Sequence, residues 1–348
     1  MPDEPVLSLY NPQQGQEYLV EPDEPVLSLS GLTMYYGQGC PECEGDPGRG
    51  GDPLRGGDPL RGGEPERKGD PGRGGAPGRG GAPGRGGAPE RGGDPERAGG
   101  VGLEKNRCPR CGAIWALRGV SLSLFPGEVL GIVGESGSGK STLARCLYFD
   151  ESPRAGTLRL LGRPENAFLL SRQARKQIRR ESMGMVYQNP LAGLKMDYSV
   201  AANIAENLIA ANCKNVARLK QRVYELLEIV EIPAYRGKET PASFSGGMQQ
   251  RVQIAKAIAN RPGILLLDEV TTGLDLSVQA KVLDVIKKII REAGIAAILV
   301  SHDLAVIRLL ADRTLVMLDG EVIERGLTDQ ILENPRHFYT QQLVYSLL

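Results

Sequence analysis

The sequence has little of several patterns that would assign it to a class at once. Lys plus Arg and Asp plus Glu number 42 each, so the formal net charge is zero. This balance gives no reason to expect a nucleic acid or an anionic membrane as a partner. No apolar run approaches the roughly 20 residues that cross a bilayer. The N-terminus is acidic and proline-rich rather than basic and apolar like a signal peptide. We therefore expect a cytoplasmic protein that binds no nucleic acid.

Cysteine is scarce as well, with six residues in 348, which is too few for a secreted disulfide scaffold. Four of them form two Cys-Pro-x-Cys pairs, Cys40 with Cys43 and Cys108 with Cys111. Such pairs can supply four thiolates at the corners of a tetrahedron. The 64 residues between the pairs are no obstacle, because loop closure costs only about 0.6 kcal/mol more per doubling of length. We expect a structural Zn²⁺ clip beside Tyr36, with a single iron ion or metal-free thiols as the alternatives.

A low-complexity tract separates the two cysteine pairs. From Gly45 to Ala98 the chain consists of nine hexapeptides of the form Gly-(Asp/Glu/Ala)-Pro-x-Arg-Gly, with variation at the sixth position. Leu54 and Leu60 are its only sizeable apolar residues, so it cannot bury enough surface to offset the entropy of ordering. It also has no aromatic residue on which RNA bases could stack, which argues against RNA binding by this tract. We predict that residues 45–99 are a disordered insert flanked by the metal clip.

The N-terminal segment contains a duplication. PDEPVLSL occurs at Pro2–Leu9 and again at Pro22–Leu29, but only the second copy leads directly into a predicted strand. We predict that residues 1–21 are a disordered extension. An extra edge strand formed by the first copy is the alternative.

The remainder of the chain has the pattern of an α/β protein. ILLLD and AAILVS are continuous apolar runs separated by the helical VQAKVLDVIKKIIREA, which predicts a parallel sheet covered on both faces. SLSLFPGEVLGIV predicts a hairpin around Pro126-Gly127, and TLRLL and MGMVY predict further strands. Apolar residues at helical spacing predict a mostly helical insertion from about Ser199 to Ile232.

The run GESGSGKS, which begins at Gly134, follows the apolar strand VLGIV. Glycines in such a loop adopt dihedrals that other residues avoid, so successive backbone N–H groups can point at the phosphates of a nucleotide. Lys140 adds a positive charge, and Ser141 can ligate Mg²⁺. The N-terminal end of the helix that follows also faces the phosphates.

Polar residues follow three other predicted strands. Asp268 ends ILLLD and can hold Mg²⁺, while Glu269 can act as the base for the attacking water or polarise it. His302 follows AAILVS and would reach the γ-phosphate, and Gln188 follows MGMVY and can bond both the metal and the water. Together with the phosphate loop, these residues predict ATP hydrolysis with Mg²⁺.

The order phosphate loop, Gln188, Ser-Gly-Gly, Asp-Glu and His302 resembles that of ABC-type ATPases, from about Val26 to the C-terminus apart from the insert. The resemblance implies a nucleotide-binding domain formed by residues 22–44 and 100–348. It would have a P-loop parallel-sheet core, an antiparallel β subdomain and a helical subdomain at about 189–260. One departure is Val270, where the family usually has proline after Asp-Glu. Because both acids remain, we expect altered loop stiffness rather than lost hydrolysis.

The same resemblance assigns roles to individual residues. Tyr36 would stack on adenine, and Asp275 would line the seam of a dimer. Two ATP molecules would be sandwiched in a homodimer or in a heterodimer with a second ABC ATPase. The turn that contacts the γ-phosphate of the opposite subunit would be Ser245, Gly246 and Gly247. The phosphate loop would comprise Gly134, Glu135, Ser136, Gly137, Ser138, Gly139, Lys140, Ser141 and Thr142.

Three stretches narrow the choice within the family: YQNPLAGL, SFSGGMQQRVQIAKAI and LTDQILENPRHFYTQQLVYSLL. They resemble the ATP-binding subunits of bacterial carbon–phosphorus lyase systems for phosphonate breakdown. They resemble less closely the ATPases of oligopeptide and nickel importers. The first resemblance, which we favour, implies docking on a soluble lyase core. The second implies docking on an ABC permease at the membrane.

Overall fold

A computed structural model describes residues 7–11, 16–20, 23–40, 43, 106–108 and 110–346, the first two stretches by backbone alone. The predicted disordered insert at 45–99 lies outside these residues. All described residues belong to one unit, formed by Met1–Gly48 and Asn106–Leu348.

Eleven strands are present in the described residues, and they form three sheets. One sheet has six strands, one has three and one has two. The strands are β1 (Leu7–Asn11), β2 (Gln16–Val20), β3 (Leu27–Tyr36), β4 (Ile114–Leu124), β5 (Val129–Val133), β6 (Ala155–Leu160), β7 (Met183–Val186), β8 (Ile264–Asp268), β9 (Ala296–Val300), β10 (Arg313–Leu318) and β11 (Glu321–Leu327).

Helices surround and extend these sheets. Short 3₁₀ turns lie at Ala167–Leu169, Ala234–Lys238 and Pro241–Ser243. The α-helices are α1 (Lys140–Leu147), α2 (Arg172–Ser182), α3 (Pro190–Gly193), α4 (Val200–Ala210), α5 (Val216–Ile229), α6 (Gly246–Ala257), α7 (Leu276–Ala293), α8 (Leu304–Leu310), α9 (Thr328–Glu333) and α10 (Phe338–Tyr345). None of the helices within the described ranges is long and apolar enough to span a membrane.

The six-stranded sheet has the order β11-β10-β5-β9-β8-β7, and all its neighbours are parallel except β10 and β11. Side chains alternate between its two faces, as the pleat requires. In β8, Leu265 and Leu267 belong to one buried cluster and Leu266 to another. The sheet is therefore covered on both faces, as the apolar runs predict.

The predicted hairpin around Pro126-Gly127 is wrong. Strand β4 pairs antiparallel with β3, whereas β5 pairs parallel with β9 and β10, so the chain crosses from one sheet to another at this turn. All five residues of β5 are buried, while residues of β4 alternate in burial over its second half. Full burial suits the middle of a covered parallel sheet, and alternation suits a one-sided antiparallel sheet. The run of apolar residues alone could not distinguish these partners.

The three-stranded sheet has the order β4-β3-β6 and is antiparallel. Its apolar face packs into the same cluster as Leu266, through residues such as Leu29, Leu122 and Leu158. This packing places the end of β3, at Tyr36, beside the start of α1.

The helical insertion predicted between Ser199 and Ile232 is present as α4 and α5. Each helix begins at a side-chain cap, since Ser199 accepts from the Ala202 amide and Asn215 accepts from the Arg218 amide. Asn212, with φ of 67°, ends the turn between them. Their apolar faces pack with α6 in one buried cluster.

In the N-terminal segment, β1 and β2 pair antiparallel with each other, from Leu7 opposite Val20 to Asn11 opposite Gln16. These two stretches are strands rather than the disordered chain that we expected. Residues such as Tyr18 and Val20 favour strands. The pairing is also not the predicted edge-strand alternative, because β1 and β2 form a sheet of their own. The prediction for the rest of residues 1–21 falls on residues outside the described ranges.

We predict that Leu266→Ala lowers the free energy of unfolding by about 2–5 kcal/mol, the range for a leucine truncated in a packed core. Leu266 is fully buried in the middle of the sheet. The matched control is Leu169→Ala, whose side chain is 83% exposed and whose loss should change stability by less than about 0.5 kcal/mol. Urea unfolding measures both, and equal effects would contradict the assigned core.

Candidate functional site

Four parallel strands bring their carboxyl ends to one edge of the six-stranded sheet. Asp268 at the end of β8 lies opposite Val300 of β9, and Ile132 of β5 lies opposite the same Val300. On the other side of β8, Leu267 lies opposite Val186 of β7. The segments that follow β5, β7, β8 and β9 therefore meet at this edge. They carry the phosphate loop, Gln188, the Asp-Glu pair and His302.

The phosphate loop has three glycines with a positive φ, and at two of them a Cβ atom would also collide with backbone. Gly134 has φ of 152° and Gly139 has φ of 99°. A Cβ atom on Gly134 would collide with the carbonyl oxygen of Met317, and one on Gly139 with that of Ala116. Both contacts are with backbone, which cannot move aside as a flexible side chain would. The loop is thus fitted between β10 and β4.

Lys140, the first residue of α1, is 4% exposed. Its Nζ donates to the carbonyl oxygens of Gly134 at 2.8 Å and Glu135 at 2.7 Å. Burial lowers the pKa of Lys140, and the charges of Glu269 and Asp268 partly oppose that shift. The ammonium group is therefore held inside the loop by carbonyl dipoles, where a phosphate could replace them.

Ser141 and Asp268 form the next contact. The Ser141 hydroxyl donates to Oδ1 of Asp268 at 2.9 Å, and Asp268 is 2% exposed. Burial raises the pKa of Asp268, although the bond from Ser141 acts in the opposite direction. A hydroxyl and a carboxylate held side by side are the kind of oxygen ligands that Mg²⁺ takes in proteins.

Glu269 is the centre of a second polar group. Three side chains converge on its Oε2: Gln188 Nε2 at 2.9 Å, Thr272 Oγ1 at 3.2 Å and His302 Nδ1 at 3.4 Å. Glu269 has φ of 45°, a value that few non-glycine residues adopt. The structure thus brings together Gln188, Glu269 and His302 as the sequence predicts.

Tyr36 ends β3 near the start of α1. Its hydroxyl donates to Glu151 Oε2 at 2.6 Å and lies 3.4 Å from Thr142 Oγ1. Partial burial, followed by the bond to Glu151, raises the pKa of the Tyr36 hydroxyl. The side chain remains 43% exposed, which leaves ring surface on which a planar base could stack.

Two buried glutamines of α6 were not predicted. Gln253 is bonded to both the amide and the carbonyl of Tyr187, with Nε2 3.1 Å from the carbonyl oxygen. Gln250 donates to the carbonyl of Gln188 at 3.0 Å. Both are almost fully buried. Their spacing of three residues places both on one face of α6 that is otherwise apolar, and this pattern could have indicated buried polar contacts. Sequence reasoning missed them because glutamines in helices more often face solvent.

Tyr339 of α10 was also not predicted. Its hydroxyl accepts from the backbone N–H of Glu135 at 2.8 Å. Burial raises the pKa of this hydroxyl. The last described helix therefore holds one amide of the phosphate loop. No local pattern around Tyr339 could have indicated a partner about 200 residues away.

Ser245, Gly246, Gly247 and Asp275 lie at the starts of α6 and α7. Ser245 and Gly246 are exposed at the start of α6, and Asp275 is exposed at the start of α7. Among the described residues, no hydrogen bond or ion pair joins them to Lys140 or Glu269. Gly247 packs so closely on Val278 that a Cβ atom would collide with it.

The four paired cysteines come together as predicted. The Sγ atoms of Cys40, Cys43, Cys108 and Cys111 all lie within 4.8 Å of one another. Cys40 is 3.8 Å from both Cys43 and Cys108, and Cys43 is 3.6 Å from Cys111. A tetrahedron with Zn–S bonds of about 2.3 Å has edges of about 3.8 Å. These spacings fit a metal and are far longer than the S–S bond of a disulfide, about 2.05 Å.

The backbone around the second pair has the turn that a metal knuckle needs. Gly112, with φ of 71°, donates to the Cys108 carbonyl at 2.9 Å, and the Cys108 amide donates to Ala113 at 2.7 Å. The amides of Cys111 and Arg110 point at the Cys108 sulfur and lower its pKa to about 6. Donors arranged in this way stabilise a thiolate.

A parallel sheet in this strand order, with a phosphate loop, two acids, a glutamine and a histidine at one edge, defines an ABC-type ATPase. Such proteins hydrolyse ATP, and the side chains gathered here are those that this reaction needs. ATP and Mg²⁺ are therefore the cofactors that the class implies.

Comparison with known proteins supports the assignment to this class. The family described as ABC transporter matches residues 117–272. A protein of Escherichia coli (strain K12) named for phosphonates utilization, the ATP-binding protein PhnK, is 46% identical over 229 residues, which cover 66% of this chain and 90% of that protein. The di/tripeptide transport ATP-binding protein DppF of Pseudomonas aeruginosa (strain UCBPP-PA14) is 38% identical, covering 66% of this chain and 70% of that protein. The chain therefore belongs to the ABC transporter family of ATPases.

Solved structures show the same fold. The ATP-binding cassette MJ0796, in a dimeric post-hydrolysis state bound to ADP and Pi, matches with a TM-score of 0.57 and 31% identity, covering 65% of this chain and 93% of that one. The predicted family, fold class and ATPase activity are thereby confirmed.

We predict that Glu269→Gln lowers kcat for ATP hydrolysis by about 100-fold or more, the usual range for loss of a general base. ATP binding should persist, because Gln keeps the size of the side chain and Lys140 is untouched. Steady-state hydrolysis and equilibrium ATP binding measure the two effects. Glu292→Gln, on an exposed part of α7, is the matched control. Unchanged turnover in Glu269→Gln would remove Glu269 from the mechanism.

Proposed function

We propose that this chain is the ATP-binding and hydrolysing subunit of a phosphonate carbon–phosphorus lyase system. In this function the chain forms a dimer with two ATP molecules at its interface, and the dimer docks on the soluble lyase core. This proposal is supported by the similarity to PhnK, which is 46% identical to this chain over 90% of its own length. DppF is 38% identical over 70% of its length.

The convergence of Gln188, Thr272 and His302 on Glu269 Oε2 carries the catalytic part of the proposal. Glu269 accepts the proton of the attacking water, and Gln188 and His302 orient that water and the γ-phosphate. A base must lie within hydrogen-bond reach of the proton that it removes, and this group is built around one carboxylate oxygen.

The phosphate loop carries the part of the proposal that concerns ATP binding. Lys140 exchanges the carbonyls of Gly134 and Glu135 for phosphate oxygens, and loop amides bind the others. Ser141, Asp268 and Gln188 would hold Mg²⁺, which neutralises phosphate charge when it is bound. Tyr36 stacks on the adenine.

The exposure of Ser245 and Gly246 at the start of α6 supports a shared site, because these residues are accessible to a second subunit. Ser245, Gly246 and Gly247 of one subunit bind the γ-phosphate held by Lys140 of the other, and Asp275 lies at the seam. An isologous twofold pair places the same patch on both subunits and so completes two sites at once. The pair is a homodimer or a heterodimer with a second ABC ATPase.

A second candidate function is that of an importer ATPase docked on a permease. The DppF match favours it, as does 37% identity to the oligopeptide transport ATP-binding protein OppD of Bacillus subtilis (strain 168), covering 67% of that protein. The two functions differ in what the ATPase docks on and share the same hydrolytic site.

Deletion of the gene in its own host tests the choice between them. We predict loss of growth on methylphosphonate as the only phosphorus source, with normal growth on phosphate and with a dipeptide as the nitrogen source. The intact chain should restore growth and a Lys140→Ala chain should not, since Lys140 is needed for phosphate binding. Loss of growth on the dipeptide alone would instead support the importer.

We also propose that Cys40, Cys43, Cys108 and Cys111 bind one structural Zn²⁺ ion. Three Sγ–Sγ separations of 3.6–3.8 Å support this, because they match the edges of a ZnS₄ tetrahedron. Closed sites with four thiolates are structural rather than catalytic. The ion would fasten the end of β3 to the start of β4.

We predict about one zinc per chain in purified protein, measured by elemental analysis. Cys108→Ser with Cys111→Ser should abolish it, because two ligands are removed. Cys213→Ser is the matched control, since Cys213 lies outside the cluster. Metal-free protein in which Cys40, Cys43, Cys108 and Cys111 all titrate freely would reject the zinc site, and iron in place of zinc would reject the assignment of the metal.

A further inference from the structure

The cysteine cluster lies next to the residue expected to bind adenine. Tyr36 is the last residue of β3, and Cys40 follows it by four positions. On the neighbouring strand, Ile114 pairs with Tyr36, and Cys111 precedes Ile114 by three positions. The cluster therefore continues the β3–β4 pairing just beyond the point where the backbone ladder ends.

Packing beneath Tyr36 connects it to the cluster. Tyr35 pairs with Trp115 across the strands, and their ring centroids are 5.2 Å apart. Gly39 lies so close to the Tyr35 ring that a Cβ atom would collide with it. Tyr35 also shares a small buried cluster with Cys43 and Cys108. Movement of the cysteines would thus move the backbone on both sides of Tyr36.

Tyr36 is held by its hydroxyl at one end and by its backbone at the other. Its side chain is 43% exposed, and its polar partners are Glu151 and Thr142. The position of the ring against a bound base therefore depends on the backbone of Tyr36 as well as on its hydroxyl contacts. That backbone is the end of a strand, which frays unless something fastens it.

The four thiols lie just beyond the ends of β3 and β4 and can hold these two strand ends together. Cys43 and Cys108 are separated by 64 residues in the chain, so the insert itself imposes no close approach. Without a metal, four thiols gain only weak S–H contacts from one another. With a metal, four bonds to one ion fix both strand ends.

We propose that the metal in the Cys40–Cys43–Cys108–Cys111 cluster sets the affinity of this ATPase for adenine nucleotides by holding Tyr36 in its stacking position. The inference rests on the proposed ATP and zinc sites and goes beyond both. Cys111 is exposed, so a chelator or an oxidant can reach the cluster from solvent. Loss of the metal then weakens ATP binding without touching the phosphate loop.

The test compares two ligands that share the phosphate site. Equilibrium binding of Mg²⁺-ATP and of Mg²⁺-tripolyphosphate is measured for the zinc-loaded protein, the chelator-treated protein and the Cys108→Ser/Cys111→Ser variant. Stacking on an aromatic ring stabilises a bound base, so we expect metal loss to weaken ATP binding by about tenfold, or about 1.4 kcal/mol. Tripolyphosphate binding should not change. Cys213→Ser should bind both ligands as the unmodified chain does.

A Tyr36→Ala chain completes the test. It should keep its zinc, bind ATP about tenfold more weakly, and show no further loss when the metal is removed. If removing the metal from the Tyr36→Ala chain lowered its ATP affinity by a further tenfold, the proposal would be overturned, because the metal would then act through another residue. Equal ATP affinity with and without metal, or parallel weakening of ATP and tripolyphosphate, would overturn it too.

These outcomes are distinct from failure of the underlying sites. A zinc-loaded protein that binds neither ligand would reject the proposed ATP site, and a protein without zinc would reject the metal site. The coupling alone is rejected when zinc and ATP both bind and neither affects the other.

Discussion

The structure depends on the order of four parallel strands, because that order decides which side chains meet. With β9 between β5 and β8, and β7 beyond β8, the phosphate loop, the Asp-Glu pair, His302 and Gln188 all reach one edge. Parallel strands end at the same side of a sheet, so residues far apart in the chain become neighbours there. The buried charge of Lys140 is tolerated at this edge because loop carbonyls accept hydrogen bonds from it and three acids, Glu269, Asp268 and Glu135, interact with it favourably.

Helix α6 connects that edge to the surface expected to face a partner. It begins at Gly246, in the turn with Ser245, and its Gln250 and Gln253 bond the backbone of Gln188 and Tyr187. A buried polar contact is costly to break unless it is replaced. The helix and the Gln188 segment are therefore expected to move together, which would connect the Ser245 turn to the residues around Glu269.

Much of the site could be predicted from sequence because its residues sit at fixed offsets from apolar runs. Asp268 and Glu269 end one run, and His302 follows another. The turn at Pro126-Gly127 was misjudged because apolar alternation does not say which strand is the partner. Tyr339 could not be found for a related reason, since its contact with Glu135 depends on how the whole chain folds back. The cysteine tetrad was predictable from spacing, but its packing under Tyr35 was not.

The most direct measurement of the central claim is a structure of the Glu269→Gln chain with Mg²⁺-ATP, alone or with its pairing ATPase. The account predicts that the γ-phosphate lies between Lys140 of one subunit and Ser245 of its neighbour, with Asp275 at the seam. It would be contradicted by nucleotide bound to a single chain with the Ser245 turn of every chain far from the phosphates.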